Sequence, residues 1–379
     1  MIVYITTFCS SLLLFLLFAG GSRTKLSNGE NTSFKRLVIS KFDLAVFIAA
    51  LPPMIIAAIR YYVGTDYFGT YYSGFYRILD GSNVDGFEFG FWLLNKAIQT
   101  ITDNVFWLFI FTSVLFVGGV YKAIGEISVD VPLSIILFFV TRYYFIGLNG
   151  IRQFIGLAFL LYSLKFVFEN NLKKFLLIIC LACMFHHTCV LFTPIFFISK
   201  IRLNIKKIFF LVICEFFLLS IALPVVLELL NGTKYGLLIP KFNLAGVKFT
   251  LFTFVINLLL FSIGYIGRKQ KEDIRFNTSV NIQFLALLSC LALQSIPLIE
   301  RVYWIFSFPI IVTFPFLIKG LKNKGTRIAT KWMVVIIFTI YMCYDICVLG
   351  DHDVLPYQTI FDKLPIHNSL WERYGGFVK

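Results

Sequence analysis

Charge is scarce in this chain, and what there is leans one way. Only 14% of the 379 residues are charged, with 20 acidic residues against 34 lysines and arginines. A soluble domain of that length needs far more charge to cover its surface, so a soluble fold is excluded. The 59% hydrophobic content and the mean hydropathy of +0.84 point the same way. Apolar stretches that alternate with polar residues over about ten positions are missing, which excludes a membrane β-barrel. Internal repeats are missing too, whereas a transporter built from inverted halves would echo itself. The eight cysteines fall almost entirely inside apolar runs, where they read as small packing residues rather than a disulfide framework. No basic residue precedes the first apolar core, Met1 to Phe18, and several follow it. That order is wrong for a cleavable signal peptide, and it predicts an external amino terminus.

Long apolar runs are what the chain has. A bilayer core takes about 20 apolar residues per helix, and on that measure spans are predicted at 3–20, 42–59, 104–121, 131–148, 151–168, 208–230, 249–267, 281–298, 302–318 and 332–349. The run 175–199 is also apolar, but His186-His187 and Pro194 interrupt it. With the amino terminus outside, 22 of the 34 basic residues fall in inner loops, provided that 175–199 is a hairpin of two short helices with both ends inside. The expected fold is therefore an all-α polytopic membrane bundle of about 10–12 transmembrane helices, with a broken or hairpin segment at 175–199. It forms a single transmembrane domain over 1–379, with a large outer loop at 60–103 and an outer tail at 350–379. The net charge of +14 sits in short clusters between spans, as topology determinants do, so nucleic acid is not expected as a partner.

Arginine is retained on the expected outer side more than lysine is. Six of the 12 arginines lie there (Arg60, Arg77, Arg142, Arg152, Arg301 and Arg373), against six of the 22 lysines. Topology alone should deplete both, so the bias hints at recognition of a multi-oxygen anion, whose geometry a guanidinium fork matches. The outer loop adds Gly64-Thr65-Asp66-Tyr67, Tyr71-Tyr72 and Glu88-Phe89-Gly90-Phe91-Trp92. Aromatic rings and acids together suit sugars; an interfacial aromatic belt with solvated acids is the competing reading.

Several motifs then stand in a familiar order. Arg60-x-x-Val63-Gly64-Thr65-Asp66-Tyr67 is followed by the paired tyrosines, by Glu88 to Asn95, and by Asn149-Gly150-Ile151-Arg152-Gln153. Phe185-His186-His187-Thr188 with Pro194, Glu300-Arg301-Val302-Tyr303-Trp304 and Leu355-Pro356-Tyr357 complete the series. From about residue 60 to 360 the chain resembles the EpsG-like branch of the Wzy-type polysaccharide polymerases, multispan bacterial enzymes of capsule, exopolysaccharide and O-antigen assembly. The resemblance implies a glycosyltransferase in the bacterial cytoplasmic membrane with its site facing outward. Such an enzyme moves a growing glycan from undecaprenyl pyrophosphate onto the next lipid-linked repeat unit. The implied partners are the lipid-linked donor and acceptor oligosaccharides, the bilayer, and chain-length regulator and flippase proteins of the same pathway. No cofactor is implied.

The residue chemistry suits such a reaction. A lipid pyrophosphate is already a good leaving group, so the site must mainly stabilise charge on the departing phosphate. Arg152, Arg60 and Arg301 are the candidates for that clamp, with Arg142 able to join it or to pair with an acid. Arg152 opens a predicted helix, where free N–H groups add positive potential; snorkelling to the interface is the bland alternative for all of these arginines. The acceptor hydroxyl needs a base or an orienting acceptor, and His186 and Asp66 are the candidates. A histidine inside an apolar run is costly enough to be suspect, although a neighbouring carbonyl would also satisfy it. Within the matched motifs, Tyr67, Glu88, Gln153 and Tyr303 are the further candidates for contact with sugar or pyrophosphate. Cys180, Cys183, His186, His187 and Cys189 have short spacing, but thiolates inside a bilayer are expensive and no metal is expected. A lipid-linked oligosaccharide flippase or transporter is the alternative from another class, and a ligase-like glycosyltransferase shares the chemistry with a different acceptor.

Overall fold

The computed structural model describes residues 1–19, 41–82, 84, 86–218, 220, 225, 228, 244–267, 273–292 and 300–362. Lys234, Lys241, Arg373 and the tail beyond 362 lie outside them, as do parts of the expected spans at 208–230 and 281–298. The described residues are helical, joined by turns and one isolated bridge between Arg60 and Thr359. They gather into two compact units.

The first unit comprises 1–162, 180–187 and the described part of 332–379. Its helices are α1 (Ile2–Phe18), α2 (Lys41–Ala58), α3 (Ser73–Leu79) after a π turn at Tyr67–Tyr72, and α4 (Phe89–Gln99). Next come α5 (Phe106–Ser113) and α6 (Gly119–Ile127), joined through a π segment, and then α7 (Val131–Val140) and α8 (Tyr143–Asn149). The unit also takes the first part of α9 (Ile151–Phe168) and the end of α10 (Leu172–Phe185). The segment 60–103 is thus largely helical. Helix α2 carries Pro52 and Pro53 in its interior. Proline has no N–H, so Pro53 leaves the carbonyl of Ala49 without its helical donor, a cost that apolar surroundings magnify. The hydroxyl of Ser11 on α1 donates to that carbonyl at 2.7 Å and also meets the Tyr121 hydroxyl at 2.5 Å. A defect inside one helix thereby fixes its neighbour.

The second unit comprises 163–179 and 188–331. It holds a 3-10 turn at His187–Phe192 from Thr188 onward, α11 (Ile195–Ile198), α12 (Ile205–Phe217), α13 (Leu244–Gly267) and α14 (Ile274–Ala292). Helices α15 (Glu300–Ser307) and α16 (Ile310–Gly320) complete it, with the first turns of α17 (Lys324–Cys343). Leu203, Phe261, Phe276, Val280, Phe284, Leu287 and Leu317 form its apolar core. The expected hairpin at 175–199 is visible as a chain reversal: α10 stops at Phe185, and Phe196 returns to within 5.5 Å of the Phe175 ring. Asn281 donates to the carbonyls of Ile198 and Ile201 at 2.7 and 2.8 Å, which satisfies the end of the returning arm.

Four helices among the described residues are long and apolar enough to cross a membrane: 41–58, 106–127, 151–168 and 324–349. Two bent pairs, 131–149 and 300–320, raise the number to six, with breaks of 53° and 47°. Three shorter apolar helices lie at 2–18, 187–198 and 251–267. The sequence predicted more unbroken spans than this. Of the other six, 131–148 and 302–318 are the bent pairs, 3–20 and 249–267 contain shorter apolar helices, and 208–230 and 281–298 lie partly outside the described residues.

Candidate functional site

The sequence-predicted residues of the first unit converge where helix ends meet: the last turns of α2, α8 and α10, the first turn of α9, and the turn at 350–353. A close approach by glycine helps bring them together. Gly90, in the first turn of α4, packs on the backbone of Met184, where a Cβ would lie 2.8 Å from the Met184 carbonyl oxygen. Glu88, just before α4, is thereby brought beside the end of α10. Its carboxylate is only 7% exposed and stands 2.5 Å from Nη1 of Arg152. His186 Nδ1 lies 3.7 Å from the other carboxylate oxygen, and the largely exposed His187 lies 3.8 Å from it.

Arg152 is further fixed by the Gly86 carbonyl, which accepts from Nη1, and by the Phe87 ring 5.1 Å from the guanidinium carbon. Tyr71, buried and edge-on to Phe91, hydrogen-bonds with Arg152. Burial pushes the Tyr71 phenol up to about 12, and the charge of Asp66 adds to the rise while Arg152 opposes it. Tyr71 is therefore a neutral hydrogen-bonding group across the physiological range. Gln153 is buried on α9 next to Arg152.

Asp66 sits on a turn clamped by Asn149. The Asn149 side-chain oxygen accepts from the Asp66 backbone N–H at 2.8 Å and from the Thr65 hydroxyl at 2.9 Å. Gly64 adopts φ +102°, a conformation that glycine reaches without strain, and donates its N–H to the Asp353 carbonyl at 3.1 Å. From Tyr62 onward the rings form a ladder: Tyr62 to Phe68 at 3.9 Å, Phe68 to Tyr72 at 4.8 Å and Tyr72 to Tyr76 at 5.1 Å. The last three are only half-buried.

Two arginines have other surroundings. Arg60 is 2% exposed, and its guanidinium donates to the carbonyl of Ala57 at the end of α2 and to that of Leu148 at the end of α8, the latter at 3.3 Å. It also lies over the Phe109 ring at 5.0 Å. Unpaired carbonyls and the negative end of the dipole make a helix C-terminus a favourable place for a buried cation. Tyr67 lies close by, buried and stacked on Phe109 at 4.3 Å, and burial pushes its phenol up. Arg142 occupies the break between α7 and α8 with φ +70°. It pairs with the buried Asp345, approaches Asp351 at 3.9 Å, and lies over Tyr341 at 4.3 Å.

Arg301 and Tyr303 belong to the second unit. Arg301 is exposed on α15. The Tyr303 hydroxyl accepts from the Asn257 side chain at 2.9 Å, and the oxygen of that amide accepts from Gln283 at 2.7 Å. Among the described residues no group of three or more His, Cys, Asp or Glu side chains gathers to hold a metal.

Sequence reasoning gave no role to Asp351 or His352 or to the clamping amide of Asn149, and it read Tyr71 as an aromatic for sugars rather than as a partner of Arg152. Asn149 lies inside a quoted motif, where nothing but position marked it. Asp351 and His352 carried no signal, because their partners are some 200 positions away in the chain.

Comparison with curated proteins and comparison with solved structures each return no match. The family model of the EpsG family matches residues 43–359, which takes in every one of the helix ends described above. The chain belongs to the EpsG family, a family of Wzy-like polysaccharide polymerases.

Proposed function

We propose that this protein is a membrane polysaccharide polymerase that transfers a growing glycan from an undecaprenyl-pyrophosphate carrier to a hydroxyl of a lipid-linked repeat unit, at the outer face of the cytoplasmic membrane. The observation that carries the proposal is the Glu88 carboxylate held between Arg152 and His186. A carboxylate on one side orients an imidazole and stabilises its protonated form. On the other side it holds a guanidinium in place until a diphosphate, a richer acceptor, takes it over.

In the proposed step the acceptor hydroxyl oxygen bonds to the anomeric carbon, and the bond from that carbon to the diphosphate oxygen breaks. The hydroxyl proton passes to His186, and the diphosphate leaves with the bonding electron pair, its charge met by Arg152. Asp66 on its clamped turn and the half-buried rings of Phe68, Tyr72 and Tyr76 would contact sugars. The two histidines divide by exposure: the His186 side chain is 12% exposed and that of His187 82%, so His186 is assigned the proton and His187 a rim position.

Cells lacking the protein, analysed for glycans and lipid-linked intermediates, provide the test. Single repeat units accessible from outside, with no long chains, are expected. Repeat units trapped on the cytoplasmic leaflet would support a flippase instead, and long chains on the carrier that fail to reach a final acceptor would support a ligase.

A further inference from the structure

The hydrogen bonds around Asn149 fix a proton in a place where no crystallographic hydrogen is needed to see it. The Asp66 backbone N–H can only donate, so the atom of the Asn149 amide that faces it must be the oxygen. The amide nitrogen then points to Nδ1 of His352, 3.3 Å away. That nitrogen is itself a donor, so Nδ1 must be the bare, accepting nitrogen of the ring. The proton of neutral His352 is therefore on Nε2, which lies 3.5 Å from a carboxylate oxygen of Asp351. His352 and Asp353 both adopt positive φ, 62° and 49°, a backbone that L residues rarely adopt and that is kept where the surroundings over-determine it. The next carbonyl, that of Asp353, receives the Gly64 N–H. The turn at 350–353 thus grips the turn at 64–66 twice, once through backbone and once through the Asn149 amide.

We propose that His352 is a positioning residue for the glycan-transfer site: through its bare Nδ1 it holds the Asn149 amide in the one orientation that presents oxygen to Thr65 and Asp66, and so places Asp66 for the acceptor sugar. The inference rests on the polymerase reading above and extends the site to a segment beyond the last long helix. Rotation of the amide would set its NH₂ against the Asp66 N–H, donor against donor, and the turn would lose its clamp. The latch therefore needs Nδ1 of His352 as its acceptor.

The test is the rate of chain elongation by membrane vesicles bearing the full-length protein and supplied with lipid-linked repeat units. His352→Ala should lower that rate by about 10- to 100-fold with the protein still in the membrane. His352→Asn should restore most of it, because its side-chain oxygen stands where Nδ1 stood and can accept from the same amide. Wild-type elongation by His352→Ala would overturn the proposal. So would a His352→Asn variant that fails as badly as alanine. Arg152→Ala run in parallel separates the two levels of inference: a normal rate there defeats the polymerase site itself, whereas a dead Arg152→Ala beside a normal His352→Ala defeats only the latch.

Discussion

Arg60 and Arg152 invite comparison, because the sequence treats them alike and the fold does not. Each arginine flanks a predicted span on the same expected side, and each sits in a motif with glycine, threonine or asparagine nearby. In the structure Arg60 is enclosed at the C-terminal ends of α2 and α8, with their last carbonyls as its acceptors. Arg152 lies at the N-terminal end of α9, where the free backbone groups are donors, and its acceptors are Glu88 and the Gly86 carbonyl. The polarity of the helix end decides the difference. Orphan carbonyls at a C-terminus consume a guanidinium, whereas orphan N–H groups at an N-terminus leave it to an anion and add to the pull.

The sharpest way to break the comparison is to remove each arginine. Arg152→Ala should lower chain elongation by about 100- to 1,000-fold, the scale seen when one donor to a developing oxyanion is lost. The protein should remain folded, as judged by its thermal transition in detergent. Arg60→Met should do the reverse. Leaving two buried carbonyls unpaired costs roughly 1–3 kcal/mol each, so the transition temperature should drop while elongation per folded molecule falls far less. If Arg60→Met were stable and inactive, the division between the two would collapse.

A smaller effect is expected at Gly90. A methyl group there meets the Met184 backbone, so Gly90→Ala should push Glu88 away from His186 and cut the rate by about 10- to 100-fold without altering which lipid-linked units accumulate. The smallest effect belongs to Tyr71→Phe, which removes the phenol oxygen that meets the backbone and side chain of Arg152 and should lower the rate by about two- to tenfold. Because burial holds the Tyr71 phenol at about 12, the unaltered protein should show no loss of rate between pH 8 and 10 that Tyr71→Phe abolishes. A pH–rate series of both proteins checks this.

Much of the candidate site's residue set was legible in advance, and for a physical reason. Polar side chains such as His186, Glu88 and Arg152 are conspicuous against apolar runs because burying them is costly, so their presence already suggested a shared purpose. The hairpin was legible from the placement of basic residues around 175–199, since one continuous span would have put four of them on the wrong side. What stayed hidden was pairing. Nothing in the local sequence distinguishes Asp345, the partner of Arg142, from an acid at a wet helix end. Nor does it mark His352 as the acceptor for an amide at position 149.

Composition and apolar run length by themselves settled that this is a helical membrane protein, because a bilayer admits few other ways to satisfy a backbone. The order of its motifs was enough to indicate the family. Which arginine closes a helix end and which faces a carboxylate was decided only by tertiary structure. So was the direction in which the Asn149 amide points. A side chain's chemistry is carried by the chain, but its partner is set by whichever helix end, carbonyl or ring the fold brings within hydrogen-bonding reach.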